Sequence, residues 1–142
     1  MKTVQEISHS LKNEPGALSE VSDILGANGI NILALYFTAQ GKEGRLQFIC
    51  NDPERASNVM KSLGYDIETR EVIACVVPNH PGGLNAVLKP LKSAGINVDY
   101  IYSCLGTGDI TVVILGVDSV ENACTILSAN WIRLMGKELY KF

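Results

Sequence analysis

The sequence is short of nearly everything that marks a catalytic, metal-binding or nucleic-acid-binding chain. Its 142 residues include two histidines and one tryptophan, and aromatic residues make up only 6%. With His9 and His80 alone, no histidine-based metal site can be argued. The four cysteines, Cys50, Cys75, Cys104 and Cys124, form no C-x-x-C pair and lie in apolar or helical stretches. That pattern fits reduced, buried thiols and gives neither a thiolate metal site nor a redox motif. Basic residues are not in excess, since 12 Lys and Arg stand against 15 Asp and Glu for a net charge of −3. Such a balance gives no electrostatic reason to approach nucleic acid or an anionic membrane. No window reaches the run of about 20 apolar residues that a spanning helix needs, and the segment from Met1 to Glu6 has no apolar signal core. A cytoplasmic protein is expected. No Ser-His-Asp or Cys-His arrangement is legible, and Asp66 and Glu68 read as strand surface, so neither catalysis nor a cofactor is expected.

What is present is an internal repeat. Asn13-Glu14-Pro15-Gly16-Ala17-Leu18 reads like Asn79-His80-Pro81-Gly82-Gly83-Leu84, and Gly29-Ile30-Asn31-Ile32 reads like Gly95-Ile96-Asn97-Val98, both at an offset of 66. Carried on without a gap, that offset sets Tyr36 on Tyr102, Asp52 on Asp118, and Tyr65 on Trp131. A period this long suits a duplicated domain rather than a solenoid. Residues 1–70 and 71–142 are the expected copies, joined strand to strand near Arg70 and Glu71. Each copy would be marginal alone, because so small a domain buries only about 60% of the surface its unfolded chain exposes. Docking between copies or between chains is therefore expected.

Each copy reads β-α-β-β-α-β, an α+β ferredoxin-like fold with an antiparallel sheet and helices on one face. Val4 to Leu11 alternates, with Ile7, His9 and Leu11 on one face and Glu6, Ser8 and Ser10 on the other; its counterpart from Val72 to Val77 is continuously apolar. Pro15 and Pro81 suit the first position of a helix. Leu18, Val21, Ile24 and Leu25 form one apolar stripe, and Leu84, Val87, Leu88 and Leu91 the other. Gly29 and Gly95 are C-terminal stops. Pro90, inside the second of these helices, predicts a kink or an early 3₁₀ turn. Two hairpins follow, then helices opened by Asp52 and by a capping box, Asp118-x-x-Glu121, with Ala56, Val59, Met60, Leu63, Ala123, Ile126 and Leu127 inward. A last strand near Ile67 closes the first copy, and one between Trp131 and Tyr140 closes the second.

Candidate chemistry sits at the Pro-Gly helix starts. A helix N-terminus offers unpaired N–H groups and a partial positive charge suited to a carboxylate. Gly16, Ala17 and Leu18 are the donors in the first copy, and Gly82, Gly83 and Leu84 in the second. Asn31 and Asn97 carry amides that both donate and accept, which is what a zwitterion needs beside such a tip. The same residues also fit a plain helix start and a plain helix stop with no ligand. His9 reads as structural, and Tyr36, Tyr100 and Tyr102 as packing.

The motif Asn-x-Pro-Gly-x-Leu after a strand, followed by Gly-Ile-Asn-Ile at the head of the next, resembles the ACT domain, a small regulatory module of amino-acid metabolism. The resemblance covers nearly the whole chain, once per copy. It implies domains paired side by side, a homodimer, and a free amino acid bound at domain interfaces. The implied ligand-binding residues are Asn13, Glu14, Pro15, Gly16, Ala17, Leu18, Asn31 and Ile32, with Asn79, His80, Pro81, Gly82, Gly83, Leu84, Asn97 and Val98 as their counterparts. The alternative is a regulatory subunit docking on a separate biosynthetic enzyme, similar to the small subunits of acetohydroxyacid synthase. Most ACT domains are attached to an enzyme or a DNA-binding domain, whereas only the two copies are legible here. Glu14 and His80 differ in charge, so the second loop is expected to hold a carboxylate more strongly unless Glu14 receives the ligand's ammonium.

Overall fold

A computed structural model describes all of residues 1–142. The chain divides into two compact units, one of Gln5–Arg70 and one of Glu71–Phe142 together with Met1–Val4. Its elements run β1 (Val4–Lys12), α1 (Ala17–Ala27), β2 (Ile32–Gln40), β3 (Glu43–Cys50), α2 (Pro53–Ser62), β4 (Ile67–Val77), α3 (Gly83–Ser93), β5 (Val98–Ser103), β6 (Thr111–Val117), α4 (Val120–Ala129), β7 (Leu134–Met135) and a 3₁₀ turn (Lys137–Lys141). The eleven-residue strand β4 runs unbroken through Arg70 and Glu71. It is the last strand of the β-α-β-β-α-β pattern in the first unit and the first strand of the pattern in the second.

In the first unit β3 pairs antiparallel with both β1 and β2, and β4 is the other neighbour of β1. In the second, β6 pairs antiparallel with β4 and β5, and β7 takes the other edge of β4. Both units therefore have the ferredoxin-like antiparallel order read from the sequence. Most positions of the two cores match. Ile7, Val21, Leu25 and Ile30 answer to Ile73, Val87, Leu91 and Ile96 at an offset of 66. Leu46, Phe48, Cys50, Ala56 and Met60 answer to Val113, Leu115, Val117, Ala123 and Leu127 at 67. One residue has been inserted between β5 and β6, where Gly41-Lys42 of the first hairpin has become the longer loop from Cys104 to Ile110.

The gapless pairing of Asp52 with Asp118, and of Tyr65 with Trp131, is corrected by that insertion. Asp52 caps α2, its carboxylate accepting from the Arg55 N–H at 3.1 Å. Its structural counterpart is Ser119, the N-cap of α4, whose side chain makes no capping bond. The expected capping box at Asp118 is therefore absent. Asp118 instead accepts from the Asn97 N–H at 3.2 Å, the part that Asn51 plays for Asn31 at 2.8 Å.

Two further expectations change, and a third changes in one of its alternatives. Leu18, Leu63 and Leu84, placed on inward faces by periodicity, are exposed at 37%, 57% and 45%. Both faces of β1 are buried rather than one: Glu6 accepts from Gln47 Nε2 at 3.3 Å, Arg45 donates to Ser8 Oγ at 2.9 Å, and Glu6, Ser8 and Gln47 are all buried. A polar group taken from water in this way needs a hydrogen-bond partner, and each has one. Helix α3 continues through Pro90 as one helix, with no 3₁₀ turn at its start. The stops at Gly29 and Gly95 are as read, each at φ 70° with Ile30 and Ile96 donating back to Leu25 and Leu91 at 2.9 Å.

Candidate functional site

The two Pro-Gly segments are built alike, but neither proline begins a helix. Ala17 N–H donates to the Glu14 carbonyl at 3.3 Å and Gly83 N–H to the His80 carbonyl at 2.9 Å. Gly16 has φ 90° and ψ −13°, and Gly82 has φ 84° and ψ −4°. A four-residue turn closed by that bond, with proline second and a left-handed glycine third, is a type II β-turn. Glycine is required there because an L side chain would be strained at that φ. The helices start only after the turn, at Ala17 and Gly83, with Gly16 and Gly82 as their N-caps. The expected start at Pro15 and Pro81 is thus displaced by two residues, since proline's fixed φ serves a turn as well as a helix.

This changes the donor set. Ala17 and Gly83, expected as free donors, spend their N–H groups on the turns. The N–H groups of Leu18 and Ser19, and of Leu84 and Asn85, take no backbone partner, and no side chain caps either helix. Both tips keep bare amides. Gly16 and Gly82 have open space where a Cβ would stand, whereas a Cβ on the buried Gly83 would overlap the Pro78 carbonyl.

The remaining candidates are scattered by the fold. Asn13 is tied to the β2–β3 turn, its Nδ2 donating to Gly41 O at 2.8 Å and its N–H to Lys42 O at 2.8 Å. Asn79 and His80 are exposed, and His80 Nδ1 lies 2.9 Å from its neighbour's carbonyl on Pro81. Asn31, just ahead of Ile32, and Asn97, just ahead of Val98, are exposed where β2 and β5 begin. Asn97 Nδ2 donates to Asp99 at 3.1 Å. Each of these asparagines follows the C-terminal end of the helix whose N-terminus is the tip. Eleven helical residues rise about 16 Å, so an asparagine cannot reach the tip of its own unit.

Two clefts flank the first tip. One, of about 390 Å³, is lined by Lys12 to Leu18 and by Phe37. The other, of about 490 Å³, adds His9, Glu20 and Tyr65 to the turn. Sequence reasoning set His9 aside as structural and gave no site role to Glu20 or Tyr65. The His9 ring meets Tyr65 edge to face at 4.9 Å, and its Nδ1 lies 3.0 Å from the Asp66 carbonyl. Tyr65 donates its hydroxyl to Glu20 Oε1 at 2.9 Å. Burial first, and then the bond to Glu20, raises the Tyr65 pKa. Glu20 could have been suspected, because it stands four residues after Gly16 on the same side of the helix. Tyr65 comes from the far end of the repeat, and no local pattern announces it. A further cleft, about 610 Å³ against α4 and lined by Lys2, Cys124 and Arg133 among others, holds none of the expected site residues. Tyr100 and Tyr102 stack at 6.2 Å, and Tyr100 covers Gly116, so both pack.

No helix is long and apolar enough to cross a membrane, and no group of three or more His, Cys, Asp or Glu side chains is placed to hold a metal ion. The family model described as an ACT domain pair matches residues 2–141. Among solved structures, a protein of Bacteroides thetaiotaomicron is similar at 27% identity with a TM-score of 0.91, over 99% of this chain and 97% of that one. The ligand-free regulatory subunit of aspartate kinase from Thermus thermophilus shares the fold at 15% identity and a TM-score of 0.65, over 92% and 94% of the two chains. Its equivalent from Thermus flavus does so at 14% and 0.56, over the same shares. No curated protein matches in sequence.

Proposed function

The chain belongs to the ACT domain pair family, and on that premise we propose that it is a cytoplasmic, non-catalytic regulatory protein that binds a free amino acid. Its two ACT domains divide at Arg70 and Glu71, and the ligand sits where domains of two chains meet in a homodimer. The observation that carries this reading is the pair of matching type II turns at Pro15-Gly16 and Pro81-Gly82, each leading into a helix tip with uncapped amides. Amides and helix dipole together favour a carboxylate there, by about 0.3–1 kcal/mol for the dipole alone.

The far placement of Asn31 and Asn97 supports a site shared between chains. An asparagine about 16 Å from its own tip can serve only the tip of another domain, and side-by-side antiparallel pairing of two domains supplies one. Leu18 and Leu84, exposed at equivalent positions beside the tips, give such pairing an apolar contact. A ligand of about ten heavy atoms is expected to bind with micromolar to millimolar affinity, suited to reading a metabolite pool. It regulates by favouring one domain arrangement over another, which requires unequal affinity for the two.

A thermal-shift screen of the purified chain against the common amino acids tests the proposal, because a ligand that binds only the folded state raises the melting midpoint. One or a few amino acids should raise it. A flat response to all of them at millimolar concentration counts against the reading. A second reading, a regulatory subunit that docks on a separate biosynthetic enzyme, draws on the exposed leucines and on the fold shared with the aspartate kinase regulatory subunit. Co-purification of an untagged enzyme would favour it.

A further inference from the structure

We propose that the cleft of the first unit is an ammonium-recognition site, in which Glu20 and the Nε2 edge of His9 receive the amino group of the bound amino acid, and that the second unit has no equivalent. The inference rests on the amino-acid-binding reading and supplies what that reading lacks, a partner for the ligand's positive end within reach of a tip.

His9 is held at both ends of its ring. Its Nδ1 lies 3.0 Å from the Asp66 carbonyl, and a carbonyl only accepts, so Nδ1 carries the hydrogen. In the neutral form of the ring, Nε2 is then a lone pair. The edge-to-face contact with Tyr65 at 4.9 Å and 81° holds the ring in place. Tyr65 in turn donates to Glu20 Oε1 at 2.9 Å, which orients the carboxylate and leaves Oε2 without a protein partner. Both side chains line the cleft of about 490 Å³ that also reaches Gly16. An oriented carboxylate oxygen, an imidazole lone pair and an aromatic ring are all features that accept from or attract an ammonium with three donors. The nearby Glu14 adds charge of the same sign, so a lone anion is disfavoured in this cleft.

The second unit differs at every one of these positions. By the matched cores, His9 answers to Cys75, Glu20 to Ala86 and Tyr65 to Ile132, and Glu14 gives way to His80. None of the first three offers a strong acceptor. The chain therefore recognises one amino group, in its first unit.

Calorimetry on the full chain, wild type, Glu20→Gln and Tyr65→Phe, with each common amino acid and with methylammonium as the bare fragment, tests this. Glu20→Gln should weaken the amino acid that binds wild type about tenfold or more, because a hydrogen bond to a charged group is removed. Tyr65→Phe removes the bond that orients Glu20 but keeps the carboxylate charge and the ring, and should weaken the same amino acid less than Glu20→Gln does. Equal losses in the two variants would make Glu20 a prop for Tyr65 and overturn the proposal. Glu20→Gln binding like wild type would also overturn it, while leaving amino-acid binding intact. Failure of every amino acid to bind wild type would bring down the broader reading. A wild-type readout stands apart from any folding defect: on titration with the bound amino acid the His9 ring resonances should move, and static His9 resonances count against the site.

Discussion

Trp131 occupies the left-handed position that Gly64 holds in the first unit. Gly64 has φ 87° and Trp131 φ 63°, the one non-glycine residue in the chain with positive φ. Each donates its N–H three residues back, to Lys61 O at 3.0 Å and to Ser128 O at 3.1 Å, closing the helix before it. A bulky side chain in this region costs about 1–2 kcal/mol, and the indole is 95% exposed with no burial to offset that cost.

Trp131→Gly should therefore stabilise the protein. The relief of strain is partly offset by glycine's freer unfolded chain, leaving a net gain of about 0.5–1 kcal/mol and a rise in melting midpoint of about 2 °C. Urea and thermal denaturation check it, and a loss of stability would mean that the indole is held by contacts in solution.

The two N-caps should respond differently to alanine. Asp52→Ala removes a bond to the Arg55 N–H and is expected to cost about 1 kcal/mol, whereas Ser119→Ala removes none and should cost much less. Equal losses in urea denaturation would contradict the different capping of these helices.

Adjacent glycines in the second turn should separate strain from collision. Gly82→Ala forces an alanine to φ 84° in open space, for about 1 kcal/mol. Gly83→Ala drives a Cβ into the Pro78 carbonyl and should cost at least twice as much, although it has no unusual φ. Chemical denaturation of the two single variants ranks them.

The cysteines should be slow to react. Burial pushes the Cys75 and Cys104 thiols up to about 12 and Cys50 up to about 11, and burial raises Cys124 as well. At pH 8 each stays protonated, and the thiolate is the reactive form. A chromogenic disulfide should label the native protein slowly, with the half-buried Cys104 first, and all four quickly in denaturant. Fast native labelling at neutral pH would show that the burial is not maintained.

The fold was largely legible because its signals are local. Alternation in β1, the apolar run at Val72 to Val77, Asp52 before Pro53, and Gly29 and Gly95 after their helices each declare an element within a few residues. The site was less so. Proline at Pro15 satisfies a turn and a helix start equally, and only the Ala17-to-Glu14 bond with Gly16 at φ 90° distinguishes them. The one-residue insertion between β5 and β6 escaped a gapless comparison because the motifs that betray the repeat all precede it.

The sequence by itself determined that there are two copies of one supersecondary pattern, where the first helix of each copy stops, and which apolar residues could share a core, since periodicity and turn chemistry act over a few residues. Only the tertiary structure decided that Leu18 and Leu84 face outward, that Glu6 and Ser8 are buried, that Asn31 stands a helix length from Gly16, and that Tyr65 joins His9 and Glu20. Those outcomes depend on which segments pack against one another, and packing joins residues by distance in space rather than along the chain.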